Sequence, residues 1–181
     1  MNKSAWQIFN LLENLLTWSR SQTGKLDFAP QKVNVAEALN TTYNLMLATA
    51  EKKQIDFSVA SEAELCMFVD NNMMMTVLRN LAHNAIKFTN PGGKVNISAN
   101  KNGGDFIQFI IEDNGIGLSK EDQEKLFRID VKTKSIGTSK EKGTGLGLIL
   151  CREFIQKNGG DIRIESQEEK GSKFIFRLPV G

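Results

Sequence analysis

Asn80, Asn84 and Lys87 offer the first chemistry in this sequence, inside the stretch Asn80-Leu-Ala-His-Asn-Ala-Ile-Lys-Phe-Thr89. On a helix turning about 100° per residue, Asn84 lies about 40° to one side of Asn80 and Lys87 about 20° to the other. His83 and Val77 border this line, and Met74, Leu78, Leu81 and Ala85 fall on the opposite side as a core face. Asn is a poor interior helix residue, so an ordinary solvated face would carry Glu, Lys and Gln instead. Two carboxamides one turn apart with an ammonium beyond suit a ligand: a carboxamide oxygen ligates hard cations, and Lys is a point charge for phosphate. The stripe alone leaves both readings open, and His83 reads as a packing or rim residue.

Two glycine-rich turns follow. Glu112-Asp-Asn-Gly-Ile-Gly117 directly succeeds an apolar strand, which sets the Asp113 carboxylate at the strand end beside glycines that allow close backbone approach. The same pattern describes a tight turn capped by its own Asp. Gly143-Thr-Gly-Leu-Gly-Leu148 opens a helix, where free backbone N–H groups and the positive helix end favour phosphate. It is neither a Walker A motif, since no GK[ST] follows, nor a Rossmann fingerprint, since no βαβ unit surrounds it. Thr144 either touches phosphate or caps the helix.

The elements that position these groups can be traced along the chain. Residues Ser4 to Arg20 form an amphipathic helix with Ile8, Leu11, Leu15 and Trp18 on one stripe, packed on another copy, on a missing helix, or on the domain itself. Ser21 to Pro30 is a linker. A short extended piece, Lys32 to Val35, leads into a helix over Val35 to Lys53. Strands are expected over Ile55–Ala60 and Glu64–Val69. Asp70 is an N-cap for the helix carrying the stripe, which stops near Asn90-Pro-Gly-Gly93. A strand over Lys94–Ala99, a turn at Asn102-Gly-Gly104 and a strand over Phe106–Ile111 follow. Ser119 caps a short helix through Leu126. The stretch from Phe127 to Gly143 lacks periodicity, which in a compact domain marks function or disorder. A helix over Leu148–Lys157, ended by Asn158-Gly-Gly160, and a hairpin of Asp161–Ser166 with Ser172–Leu178 close the chain.

With 181 residues, 40% of them hydrophobic, the chain can bury one mixed domain plus an extra element. A net charge of +2 argues against nucleic acid and against a polybasic membrane surface. Cys66 and Cys151, with a single His, make no Cys/His metal site and read as reduced, buried thiols in a cytoplasmic setting. No signal peptide or long apolar run gives this segment direct membrane contact, which leaves open an inner-membrane anchor in a longer parent protein.

Taken in order, NLxHNAIKFT, DNGIG, LFR and GTGLGL resemble the N, G1, F and G2 boxes of the catalytic ATP-binding domain of two-component sensor histidine kinases. That domain belongs to the superfamily that also holds gyrase, a heat-shock chaperone and a mismatch-repair ATPase. The likeness covers roughly residues 32 to 180, and residues 4 to 24 resemble the second helix of the family's dimerisation hairpin. The resemblance implies an α/β (α+β) two-layer sandwich of the Bergerat type: a mixed sheet with helices on one face, plus an extra N-terminal helix. It divides the chain into a partial phosphoacceptor hairpin over 1–24 and a catalytic ATP-binding domain over 25–181. By motif position, Asn84 ligates Mg²⁺ on the ATP phosphates with Asn80 beside it, and Lys87 contacts a phosphate. Phe88 packs near adenine or in the core. Asp113 accepts from the adenine amine, in a pocket formed with Gly115, Ile116 and Gly117. Gly143, Thr144, Gly145, Leu146 and Gly147 hold the phosphates, residues 118 to 142 form a lid over the nucleotide, and Arg128, in a compressed F box, orients the γ-phosphate.

In the hydrolysing members the position of Asn80 resembles a Glu acting as general base. A carboxamide takes no proton, so the resemblance implies a kinase rather than an ATPase, with a nucleotide-binding pseudokinase as the non-enzymatic alternative. The family's phosphoacceptor His box is absent, since His83 is the sole His. The implied partners are therefore the chain's own missing phosphoacceptor helix, as a homodimer in the full-length protein, and the receiver domain of a response regulator.

Overall fold

The computed structural model describes residues 27–101, 104–128, 138 and 146–181. The expected N-terminal helix, most of the linker, two residues of the Asn102–Gly104 turn, and Gly143, Thr144 and Gly145 lie outside the described residues.

The chain runs β1 (Pro30–Asn34), α1 (Val35–Lys52), β2 (Asp56–Ser61), β3 (Cys66–Asp70), α2 (Asn71–Phe88), β4 (Lys94–Asn100) and β5 (Phe106–Asp113). It continues through α3 (Lys120–Lys125), α4 (Leu146–Lys157), β6 (Asp161–Gln167) and β7 (Gly171–Pro179). Each boundary has a local cause. Asn34 accepts from the Glu37 N–H at 3.0 Å to start α1, and Asp70 accepts from the Met73 N–H at 3.0 Å to start α2. Ser119 does the same for α3 through Asp122, as its position predicts. Gly159, at φ +78°, turns the chain after α4 in the left-handed conformation that favours glycine.

Five strands form one mixed sheet in the order β2-β4-β5-β7-β6, with β2 parallel to β4 and the other pairs antiparallel. Paired residues share a face, so the register defines rows. Val59, Ile97, Ile111, Phe174 and Ile164 make one row, and Ser61, Ala99, Phe109, Phe176 and Ile162 the next, where the Phe109 and Phe176 rings stack at 4.7 Å. These rows join Leu39, Met74, Leu78, Leu81 and Leu150 from α1, α2 and α4 in the core. The opposite face is largely charged, with Glu112 and Lys173 paired at 3.1 Å and Asp161 and Arg177 at 2.6 Å. Helices therefore cover one face, as the amphipathic patterns require. The row after Val59 is Phe57, Val95, Asp113, Ser172 and Ser166. There the covered face turns polar.

β1 and β3 form a separate two-stranded sheet, a pairing the sequence reading left unassigned. Two boundaries differ from that reading. The linker ends earlier than Pro30, because the Ala29 N–H already donates to Asp70 Oδ2 at 3.0 Å. Helix α4 begins at Leu146, two residues before the expected start. Of the thiols, Cys151 is buried but Cys66 only half-buried, because β3 belongs to the small, thin sheet.

Candidate functional site

Helix α2 is the spine of the site. Asn80, Asn84 and Phe88 are half-buried, and Lys87 is only 5% exposed, its ammonium 4.6 Å from the centre of the Phe88 ring. The apolar positions opposite, Met74, Leu78, Leu81 and Ala85, are all buried. The stripe thus occupies a seam rather than an open face. Its other wall is α4: a Cβ built on Gly147 would stand 3.3 Å from Asn80 Oδ1, so the glycine lets the two helices approach at that amide. Asn80 Nδ2 is buried and has no hydrogen-bond partner among the described residues. A buried N–H left unpaired costs about 1–3 kcal/mol, which is acceptable where a ligand supplies the acceptor. His83 is exposed, the rim position expected of it.

The Asp113 turn meets the C-terminal end of this helix. Ile116 N–H donates to the Phe88 carbonyl at 3.1 Å, and a Cβ on Gly115 would lie 2.3 Å from that same oxygen. At position 115, only glycine fits. Gly117 has φ +65° and packs on the Gln167 backbone, where a Cβ would come within 1.9 Å of the carbonyl. Asp113 is 6% exposed and accepts from the Gly115 N–H at 2.9 Å. Burial pushes its carboxyl up to about 6, against the pull of the Gly115 and Ser172 N–H groups and with a small push from Glu112. Ile116 is 40% exposed beside it.

Several residues of the segment expected as a lid, from Leu118 onward, are tethered to the body of the fold. Leu118 N–H donates to Ser166 Oγ, and Gln123 Nε2 bridges the Leu118 and Ser166 carbonyls. Phe127 lies under the Arg152 guanidinium of α4, 5.8 Å away. Arg128 is exposed just past α3, its N–H on the Lys125 carbonyl. Thr138 sits on the end of α2, its N–H and Oγ1 donating to the Lys87 carbonyl and its Oγ1 also reaching the Thr89 carbonyl at 2.9 Å.

The structure therefore gathers Asn80, Asn84, Lys87, Phe88, Asp113, Gly115, Ile116, Gly117, Leu146 and Gly147 around one helix. A cleft of about 310 Å³ lies elsewhere, at the strand ends lined by Glu112, Glu165, Lys170 and Lys173, and shares only Asp113 with this group. The sequence reading missed Lys53, whose Nζ donates to the Ile86 and Lys87 carbonyls at 2.8 and 2.7 Å. It also missed the docking of Thr138. Pro91 was a signal for both: it is the fourth residue after Lys87 and has no N–H to give that carbonyl, so a donor must come from outside the helix.

For a nucleotide and its metal, the residues present fit. Among the described residues no three His, Cys, Asp or Glu side chains cluster as a metal cage. Mg²⁺ asks for no such cage, since it keeps waters and is bound through substrate phosphates plus one or two protein oxygens.

Comparison with known proteins agrees with this fold. Residues 69–181 match the family described as histidine kinase-, DNA gyrase B-, and HSP90-like ATPase. Hybrid signal transduction histidine kinase D of Dictyostelium discoideum is 31% identical over 186 residues, which span 98% of this chain and 12% of that protein. Aerobic respiration control sensor protein ArcB of Escherichia coli is 30% identical over 178 residues, 97% of this chain and 23% of that protein. The chain thus spans less than a quarter of the length of these two relatives. A solved catalytic domain of histidine kinase ThkA superposes with a TM-score of 0.73 at 32% identity, covering 85% of this chain and 96% of that one.

Proposed function

We propose, from the premise that this chain belongs to the histidine kinase-, DNA gyrase B-, and HSP90-like ATPase family, that it is the MgATP-holding catalytic module of a sensor histidine kinase. It presents the γ-phosphate to a phosphoacceptor His outside residues 1–181. The observation that carries the reading is the seam between α2 and α4, where a buried Asn80 amide without a partner faces the glycine start of a helix. The seam offers donors and a positive helix end, the chemistry that phosphate requires.

Each group then has a role. The Asn84 carboxamide oxygen would hold Mg²⁺, which would offset phosphate charge when bound. Asn80 donates to a phosphate oxygen, and the buried Lys87 ammonium adds positive charge beside it. Backbone N–H groups of Leu146 and Gly147 at the start of α4, with those of Gly143, Thr144 and Gly145 from the sequence before it, cradle the phosphates. The Asp113 carboxylate accepts from the adenine amine between Ile116 and Phe88, which makes adenine the base selected. Arg128 reaches the γ-phosphate. Phosphoryl transfer at such a site is mostly positioning and charge neutralisation.

Asn80 separates transfer from hydrolysis, because a carboxamide cannot deprotonate water. The module therefore stores ATP until an acceptor arrives. Residues 1–24 are read as the second half of the acceptor hairpin, through which the full-length protein dimerises, and a response regulator takes the phosphoryl group next.

Steady-state turnover tests this reading. MgATP should saturate the chain with negligible phosphate release, and γ-labelled ATP should leave no acid-labile phosphohistidine on it. Sustained hydrolysis would establish the ATPase alternative, and absence of nucleotide binding would overturn the reading.

A further inference from the structure

We infer that Lys53 is a positioning residue for the C-terminal turn of α2, which it holds by backbone carbonyls; the inference rests on the reading of α2 proposed above.

A helix leaves its last four carbonyls without intrahelical donors, and here the sequence aggravates the shortage. Lys87 looks four residues ahead to Pro91, which has no N–H. Phe88 looks ahead to Gly92, whose N–H is already committed to the Gln54 carbonyl at 3.1 Å. Outside donors must take over, and each comes from a different part of the fold. Lys53 Nζ serves Ile86 and Lys87, Thr138 serves Lys87 and Thr89, and Ile116 N–H serves Phe88. Lys53 is the one cation in this set. It sits at the negative end of the α2 dipole, where a charged donor binds carbonyls more strongly than a neutral one.

The location matters because of what the same residues carry on their other side. Lys87 and Phe88 bear two of the site's side chains, and Asn84 lies one turn before. Lys53 itself is fixed by its own surroundings. Its N–H closes α1 on the Ala50 carbonyl, and the adjoining junction is laced to the turn after α2 by Gly92 N–H on Gln54 and Asp56 N–H on Gly93. The end of α1 thus acts as an abutment for the last turn of α2. Removing the ammonium leaves the Lys87 carbonyl with Thr138 alone among the donors named here, and lets the turn carrying Lys87 and Phe88 shift against Asn84.

The experiment titrates MgATP against the purified chain, reading displacement of a fluorescent ATP analogue. Lys53→Met keeps the aliphatic stem and removes the donor, Lys53→Arg restores a cationic donor, and Lys94→Met removes an exposed lysine charge whose partner is the Asp56 carboxylate at 3.8 Å. The expected result is a loss of about tenfold in MgATP affinity for Lys53→Met with unfolding still cooperative, recovery to within about threefold for Lys53→Arg, and no change for Lys94→Met. Wild-type affinity in Lys53→Met, or equal losses in Met and Arg, would overturn the inference. A wild-type chain that binds no MgATP would instead sink the proposed function. If Lys53→Met does not fold, Lys53→Gln takes its place, with an intermediate loss expected and wild-type affinity again overturning.

Discussion

Asp113 shows what burial does to a carboxyl at the end of a strand. An unfolded chain loses this proton near 3.8, whereas the folded carboxyl keeps it to about 6. Between those values the folded state binds more protons, so stability falls as pH rises from about 4 to about 6. Above that window the buried carboxylate costs about 3 kcal/mol. Asp113→Asn should therefore raise the thermal midpoint of the free chain at pH 7.5 by several degrees while weakening ATP binding more than tenfold, because an amide N–H would oppose the adenine amine. Scanning calorimetry and a nucleotide titration on the same sample check both halves. ATP affinity in the wild type should likewise fall as pH drops through about 6. Asn84→Ala should remove the Mg²⁺ dependence of nucleotide binding yet leave unfolding cooperative. A Mg²⁺-dependent thermal shift that survives the change would dismiss Asn84 as the ligand.

At the scale of elements, glycines mark where two elements touch by backbone. Gly171, at φ +99°, would bring a Cβ within 1.9 Å of the Asp113 carbonyl, whereas Gly92, at φ +79°, faces open space. Gly92→Ala should cost about 1 kcal/mol for backbone strain alone, and Gly171→Ala at least about 3 kcal/mol, since two backbone segments must separate as well. Urea unfolding of both variants measures the difference. The helices, their caps at Asp70 and Ser119, and the strands of the main sheet were legible because periodicity and capping are local properties. The separation of β1 and β3 into their own sheet was not, since partner choice among strands depends on distant residues. The site divided the same way. Asn80, Asn84 and Lys87 declared themselves by standing on one helical line, and Asp113 by closing an apolar strand. Lys53 and Thr138 act on carbonyls, which no side-chain pattern encodes; Pro91 announced the need for a donor but not its source.

For the whole molecule, one face of the sheet buries the core and the polar row at its edge adjoins the end of α2, so fold and site share their walls. Membership of the family is secure from the match over residues 69–181, and among the described residues no helix is long and apolar enough to cross a membrane. The central claim is that a metal-bound adenine nucleotide lies between α2, α4 and the Asp113 turn. Amide chemical shifts followed during titration with ATP, with and without Mg²⁺, test it most directly. Saturable, Mg²⁺-dependent changes should concentrate at Asn80–Phe88, Asp113–Gly117 and Leu146–Gly147; changes confined to the cleft around Glu165 and Lys170, or none at all, would contradict the account.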